Sequence, residues 1–426
     1  MNINVCDYGA VSGGEVLCTK SIQSAIDICA NSGGGRVTVP AGVYLTGTIW
    51  LRDNVELYLE HGSTLKASTN LEDYNALDAY EQNFSCPAEE WVGKHLILAV
   101  ECKNVALTGS GTIDGSADFF MGDVQFVSVH TWRKGIRFAK DKVNLRPGQL
   151  VCFIECERVL VENVTLTNYP CWGLFLHGSE YITVRGIKVF NPDDCANTDG
   201  IDIDCCRYVT VSDCIIQTGD DGITMRGDWR LLKNKRVCEY VTVTNCVIGV
   251  SAGAFRIGVG RGHIKHIRIS NIVVTRGSPL YVMTGYRGSG SVSIEDVIVS
   301  NVSATNCWMP LKMYEYTGVP LRNITLENFT VEADTYWEIL SDHPKSASNI
   351  NLRNWKIILK EPPTPFTESD VERMGTYWFR AKNINGLTLE NITVEDPNNY
   401  LSAWKDGAFL YEGCDDKKLI NVKIVK

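Results

Sequence analysis

RVLVENVTLTN at 158–168, YITVRGIKVFN at 181–191 and YVTVSDCIIQT at 208–218 share one pattern. A polar or aromatic residue is followed by alternating β-branched residues, a polar pair often containing Asn, and alternation again. Six further copies read YVTVTNCVIGV from Tyr240, HIRISNIVVTR from His266, SVSIEDVIVSN from Ser291, NITLENFTVEA from Asn323, NINLRNWKIIL from Asn349 and GLTLENITVED from Gly386. Alternation with a period of two marks strands. Successive starts lie 23 to 37 residues apart, so insertions fall in turns while the strand unit stays constant. No helical pattern separates the copies, which excludes a βαβ protein. Short strands at this spacing predict an all-β parallel β-helix, each coil stacking on the last to bury a continuous core. Asn163, Asn245, Asn271 and Asn391 fall at the bends, where they stack as an amide ladder or simply satisfy turn preference.

Working outward, KSIQSAIDICANSGGG places Ile22, Ala25, Ile26 and Cys29 at helical spacing before a glycine stop. This predicts a short amphipathic α-helix capping the open end of the solenoid within about residues 1–34. GRVTVPAGVYLTG, NVELYLEHGSTL and NVALTGSGTIDG supply earlier coils between about 35 and 115. Residues from about 71 to 146 are interrupted and rich in aromatic and charged side chains, which predicts long loops beside a cleft. One domain over residues 1–426 is the expectation.

With 44% hydrophobic and 21% charged residues among 426, the chain is neither disordered, collagen-like nor coiled coil. No apolar run reaches the roughly 18 residues of a membrane span. Fifty acidic against 41 basic residues give a net charge of −9, which disfavours nucleic acid and anionic lipid as partners. The sixteen cysteines lack CxxC pairs and sit largely in apolar runs, as at Cys152, Cys156, Cys205, Cys214, Cys238 and Cys246. They read as core filling in a reducing compartment. The opening MNINVCDYGA has no charged n-region and apolar h-region, so a cytoplasmic location is expected, or a secreted one if the chain has been trimmed. No metal constellation or cofactor motif is read; GVGRGHIKH contains GxGxG without a following amphipathic helix.

The densest acidic cluster lies in consecutive coils, NTDGIDID (197–204) and TGDDGITMR (218–226). Asp199 and Asp220 are 21 residues apart, close to one coil, and one coil of stacking moves a side chain by about 4.8 Å. Asp199, Asp220 and Asp221 therefore converge on one patch, which Asp202 can join. Packed carboxylates raise at least one another's proton affinity. A proton-holding acid beside an ionised base is what glycosidic cleavage needs. Asp-Gly turns and calcium binding are the competing readings.

DYGAVSGG, GGGRVTVPAGVYLTGTI, GSGTIDG, NTDGIDID and TGDD together resemble glycoside hydrolase family 28, the polygalacturonase family of right-handed parallel β-helix enzymes, over most of the chain. The resemblance implies an inverting hydrolase without a cofactor. Asp220 is then the general acid, and Asp199 and Asp221 hold and deprotonate water. Asn197, Asp202, Arg226, Arg256 and Tyr314 are the candidate substrate contacts, Tyr314 lying where the family often places a tyrosine near the sugar. The sequence departs from the family twice. Where Gly-His-Gly is expected it reads Ala252, Gly253 and Ala254, with Arg256 nearby either replacing the histidine's influence or simply solvated. Where the family's Arg-Ile-Lys grips a galacturonate carboxylate, it reads Tyr281, Val282 and Met283, leaving Arg226, Arg256 or Arg287 to rebuild a clamp.

Tyr314 and Tyr316 are either sugar-stacking or packing residues, and Trp172 is structural. His177, His263 and His266 are expected at surface or turn positions, and Phe119, Phe120, Trp91 and Trp132 are candidates for shaping subsites. The expectation is an inverting, exo-acting glycosidase on a short α-linked oligosaccharide or a polysaccharide, pectin-type or neutral, with its oligomeric state open. A lyase or uronate epimerase on the same fold and a non-catalytic glycan-binding solenoid are the rivals.

Overall fold

A computed structural model describes residues 1–125, 135–141, 145–285, 290–360, 377–404 and 406–426. The fold is a right-handed parallel β-helix with one capping helix, as expected. The chain separates into two compact units, the boundary falling between Asp220 and Asp221 and a short return, Trp229–Arg236, belonging to the first.

In the first unit each coil contributes three short strands. One face stacks Ile3, Val37, Leu57, Leu107, Val161, Val184 and Val211 in register. A second stacks Ile49, Ile97, Val151, Leu174 and Ile201, and a third Tyr44, Leu65, Ile113, Leu166, Val189 and Ile216. All are buried, at about 1.5–3 kcal/mol for each enclosed aliphatic side chain. The helix Thr19–Asn31 covers the first coil with Ile22, Ala25, Ile26 and Cys29, the four residues whose spacing announced it.

The second unit has the same core with longer strands. Cys238–Gly260 and His263–Met283 run through their bends without interruption, and Val241, Ile267, Val297, Ile324, Ile350 and Leu387 form one buried column. The copy expected at Ser291 begins instead at Asp296, because Ile267 pairs with Val297. Two polar pairs, Glu295–Asp296 and Ser300–Asn301, each interrupt an alternating run, and alternation alone could not choose between them.

Bends of both units demand left-handed backbone. Tyr240, His266, Asp296, Asn323 and Asn349 hold φ between 50° and 58°, and Asn245, Asn271, Asn301, Asn328, Asn354, Asn391 and Asn421 between 50° and 59°. Asn tolerates this region better than most side chains. From Asn271 onward each amide of the second set donates to the one a coil earlier, at 3.0–3.4 Å, so of the two readings the ladder holds from Asn245 to Asn421. Asn163 bends the same way at φ 62°, but the next coil places Gly186 there, which has no amide to continue a ladder.

Candidate active site

In the first unit the turn carrying Asn197, Thr198 and Asp199 leads into strand Ile201–Asp204, and three devices hold it. Arg146 is enclosed, with 1% of its surface exposed. Its guanidinium donates to the carbonyls of Pro170 (2.6 Å), Ala196 (2.8 Å) and Glu89 (2.7 Å) and to Asn197 Oδ1 (2.9 Å). The Tyr169 hydroxyl donates to the Asp199 carbonyl at 3.2 Å, and burial pushes this phenol up so that it stays a donor. Thr198 Oγ1 donates to the Cys195 carbonyl (3.0 Å) and accepts the Gly219 amide (3.2 Å). The Asn197 N–H donates to Asp220 Oδ2 at 3.0 Å. The two acidic turns are thus knitted to each other, with Asp199 6% exposed and Asp220 partly open.

In the second unit Asp221 is 2% exposed and receives the Gly253 amide on Oδ1 at 2.8 Å and the Arg256 guanidinium on Oδ2. Gly253 is the position at which the sequence reading expects the family's histidine. A Cβ there would lie 3.1 Å from Asp221 Oδ1 and 3.0 Å from the Tyr281 ring, tighter than side chains ordinarily pack, so glycine eases the approach of the carboxylate to this backbone. Arg256 is therefore not a solvated arginine. Its guanidinium lies 5.4 Å from the Tyr281 ring centroid and 3.5 Å from the Met283 sulfur. Arg226 is partly buried in strand Ile223–Gly227, beside a register shift.

The remaining expected residues are distributed as follows. Asp202 is enclosed, paired in register with Phe175. Tyr314 stacks on Tyr316 at 3.8 Å and donates to Asp342 at 3.4 Å. His177 is buried in strand Leu174–His177, against expectation, stacked in register between Ile154 and Asp204 with the Phe175 ring 5.0 Å away. His266 stacks on Tyr240 and meets Asp296 at 2.6 Å, and His263 meets Ser293, both partly exposed. Trp172 is buried, Phe120 is buried and Phe119 exposed. Trp132 and Arg287 lie outside the described residues.

One outward row of the first unit is covered. Leu98, Cys152 and Phe175 pack with Trp91, Cys171 and Trp172; Trp50 precedes Leu98 on the row, and Tyr80 and Phe84 pack against the cluster. Trp91 is wholly buried, edge-on to Phe84 and Trp172, and its strand pairs with Arg146–Pro147. Glu155 ties a second loop to this cover. Burial pushes its carboxyl up, but hydrogen bonds from Gln82, Asn234 and Lys233 outweigh that and hold it below the usual range. Arg146, Tyr169 and Glu155 escaped the sequence reading because each is a single polar residue with no periodic signal. Among the described residues no group of three or more His, Cys, Asp or Glu side chains is arranged to hold a metal ion.

Comparison with known proteins gives a consistent picture. The family model described as glycosyl hydrolases family 28 matches residues 29–368. A probable polygalacturonase of Vitis vinifera is 25% identical over 377 residues, covering 76% of this chain and 74% of that protein. The exo-poly-alpha-D-galacturonosidase of Dickeya chrysanthemi is 28% identical over 254 residues, 52% of this chain and 41% of that protein. A family 28 exopolygalacturonase of Yersinia enterocolitica shares the fold, with a TM-score of 0.71 at 20% identity over 98% of this chain and 78% of that one.

Proposed function

The chain belongs to family 28 of the glycosyl hydrolases, and from that premise we propose that it removes sugars from the end of an α-linked, pectin-type oligosaccharide with inversion at the anomeric carbon. Asp220 protonates the departing glycosidic oxygen, while Asp199 and Asp221 hold the attacking water and take its proton. The observation that carries this reading is the pairing of Asp221 with Arg256 and the Gly253 amide. A cation and a donor on one carboxylate favour its ionised form, the state a base requires. The Asn197 amide on Asp220 Oδ2 fixes the acid's orientation. Galacturonan is the first substrate to try because it is what the named relatives act on. The loop cover over the first unit's outward row, with Tyr80 and Phe84 packed on Leu98, Cys152 and Phe175, is the feature that favours terminal over internal cleavage.

The test is hydrolysis of α-linked oligogalacturonides and neutral analogues by the native chain and by Asp220→Asn, with the first-formed anomer read by NMR. Loss of the general acid should lower kcat by about 10²–10⁴-fold. An inverted anomer is expected from the family's mechanism, in which acid and base stand about 6.5–9.5 Å apart to seat the water, against about 5–5.5 Å in retaining enzymes. A retained anomer overturns the mechanism. An unsaturated, ultraviolet-absorbing product reassigns the chemistry to elimination.

A further inference from the structure

In the second unit, one row of side chains crosses successive strands in register: Arg256, Tyr281, Lys312, Glu338 and Arg380. It alternates with the buried column Ile257, Val282, Met313, Ile339 and Ala381, so the row faces away from the core. Neighbouring rungs are about 4.8 Å apart.

The charges in this row do not balance. Arg256 is paired with Asp221, and Arg380 Nη2 donates to Glu338 Oε2 at 2.5 Å. The third cation, Lys312, makes no hydrogen bond or ion pair among the described residues. It is also partly buried. Burial, first of all, pushes its ammonium down; Arg256 and Arg380 add to this and Glu338 opposes it. Arg256 and Arg380 each stand two rungs away, and the carboxylate on one neighbouring rung, Glu338, is already bonded to Arg380. A partly desolvated cation so placed weakens the fold unless a further anion joins it. The rung next to it is Tyr281, where the family's carboxylate clamp would begin and no charge remains. Tyr281 lies by Arg256, and Tyr336 lies 5.8 Å from Arg380, so aromatic rings flank the cations.

We propose that Lys312 receives the carboxylate of a uronic sugar, rebuilding from a different strand the anion clamp missing at 281 and 283. The proposal rests on the hydrolase reading and narrows its substrate to acidic glycans.

Binding to the Asp220→Asn form tests it without depending on turnover. Calorimetric titration compares an α-1,4-linked trigalacturonate with the neutral galactotriose of the same linkage. A charge-assisted hydrogen bond in a partly buried site corresponds to roughly 10–100-fold in affinity. Adding Lys312→Met should weaken trigalacturonate by that factor and leave galactotriose unchanged, and Lys312→Arg should recover most of the loss. Without sugar, Lys312→Met should raise Tm, because it removes an unpaired, desolvated charge. Equal losses for both sugars, no loss for either, or a lowered Tm would overturn the proposal by making the lysine structural or idle. Failure of the native chain to hydrolyse any α-linked glycan would count against the hydrolase reading and leave these binding outcomes readable.

Discussion

Two outward rows, one from each unit, have the same backbone and opposite chemistry. Trp50, Leu98, Cys152 and Phe175 are apolar, up to Asp202 on the next rung, and Tyr80, Phe84 and Trp91 pack against them. Arg256, Tyr281, Lys312, Glu338 and Arg380 are charged or aromatic. Stacking dictates only the inward residue of each strand, as the aliphatic columns of both units illustrate. The outward residue answers to whatever is laid over it: a loop that must exclude water asks for hydrophobes, whereas a polar ligand asks for charge.

The strongest way to break this contrast is to unroof the first row. Trp91→Ala should lower stability by about 3–5 kcal/mol in denaturant titrations. On polymeric galacturonan it should also shift products from single sugars toward internal fragments, read by chromatography. Unchanged stability would mean the roof is incidental.

Opposite pH responses sharpen the contrast next. In the first unit burial pushes His95 down from 6.5 to about 4, so it is neutral when folded. The unfolded chain takes up that proton first, and stability falls as pH drops from 6.5 toward 4. In the second unit burial pushes Asp334 up from 3.8 to about 7, opposed by Lys360. Here the unfolded chain ionises first, and stability falls as pH rises from 3.8 toward 7. Each contributes on the order of 2–4 kcal/mol across its window. His95→Gln should flatten the acid-side loss and Asp334→Asn the loss on raising pH, as measured by denaturation between pH 4 and 7. A variant with the native slope refutes its assignment.

The smallest effect separates the two kinds of bend. Asn328 donates to Asn301 and accepts from Asn354, both at 3.0 Å, with φ at 59°. Asn328→Gly should cost about 1 kcal/mol by losing ladder bonds, and Asn328→Ala roughly 1–2 kcal/mol more through left-handed strain. Asn163→Ala, where Gly186 interrupts the stack, should show only the strain. Thermal melts of the three variants give the comparison.

Much of this was legible in the letters. The capping helix and most coils follow from spacing, because burial in a stacked core imposes a strict period. The Asn residues announced their ladder because left-handed bends and amide stacking favour the same side chain. The acidic turns stood out by density. Arg146 and Tyr169 did not, since a polar residue that braces a turn from inside leaves no periodic trace. The Asp296 start needed the backbone, because two polar pairs fit the same alternating text. Lys312 became noticeable only after register put Arg256 and Arg380 on its row and their partners were identified.

Gly253 carries a consequence for how such sites can change over generations. With Asp221 and Tyr281 close against a position that has no side chain, any residue larger than glycine at 253 asks both neighbours to yield. A change at 253 is therefore coupled to its surroundings, and its cost depends on what stands at 221 and 281.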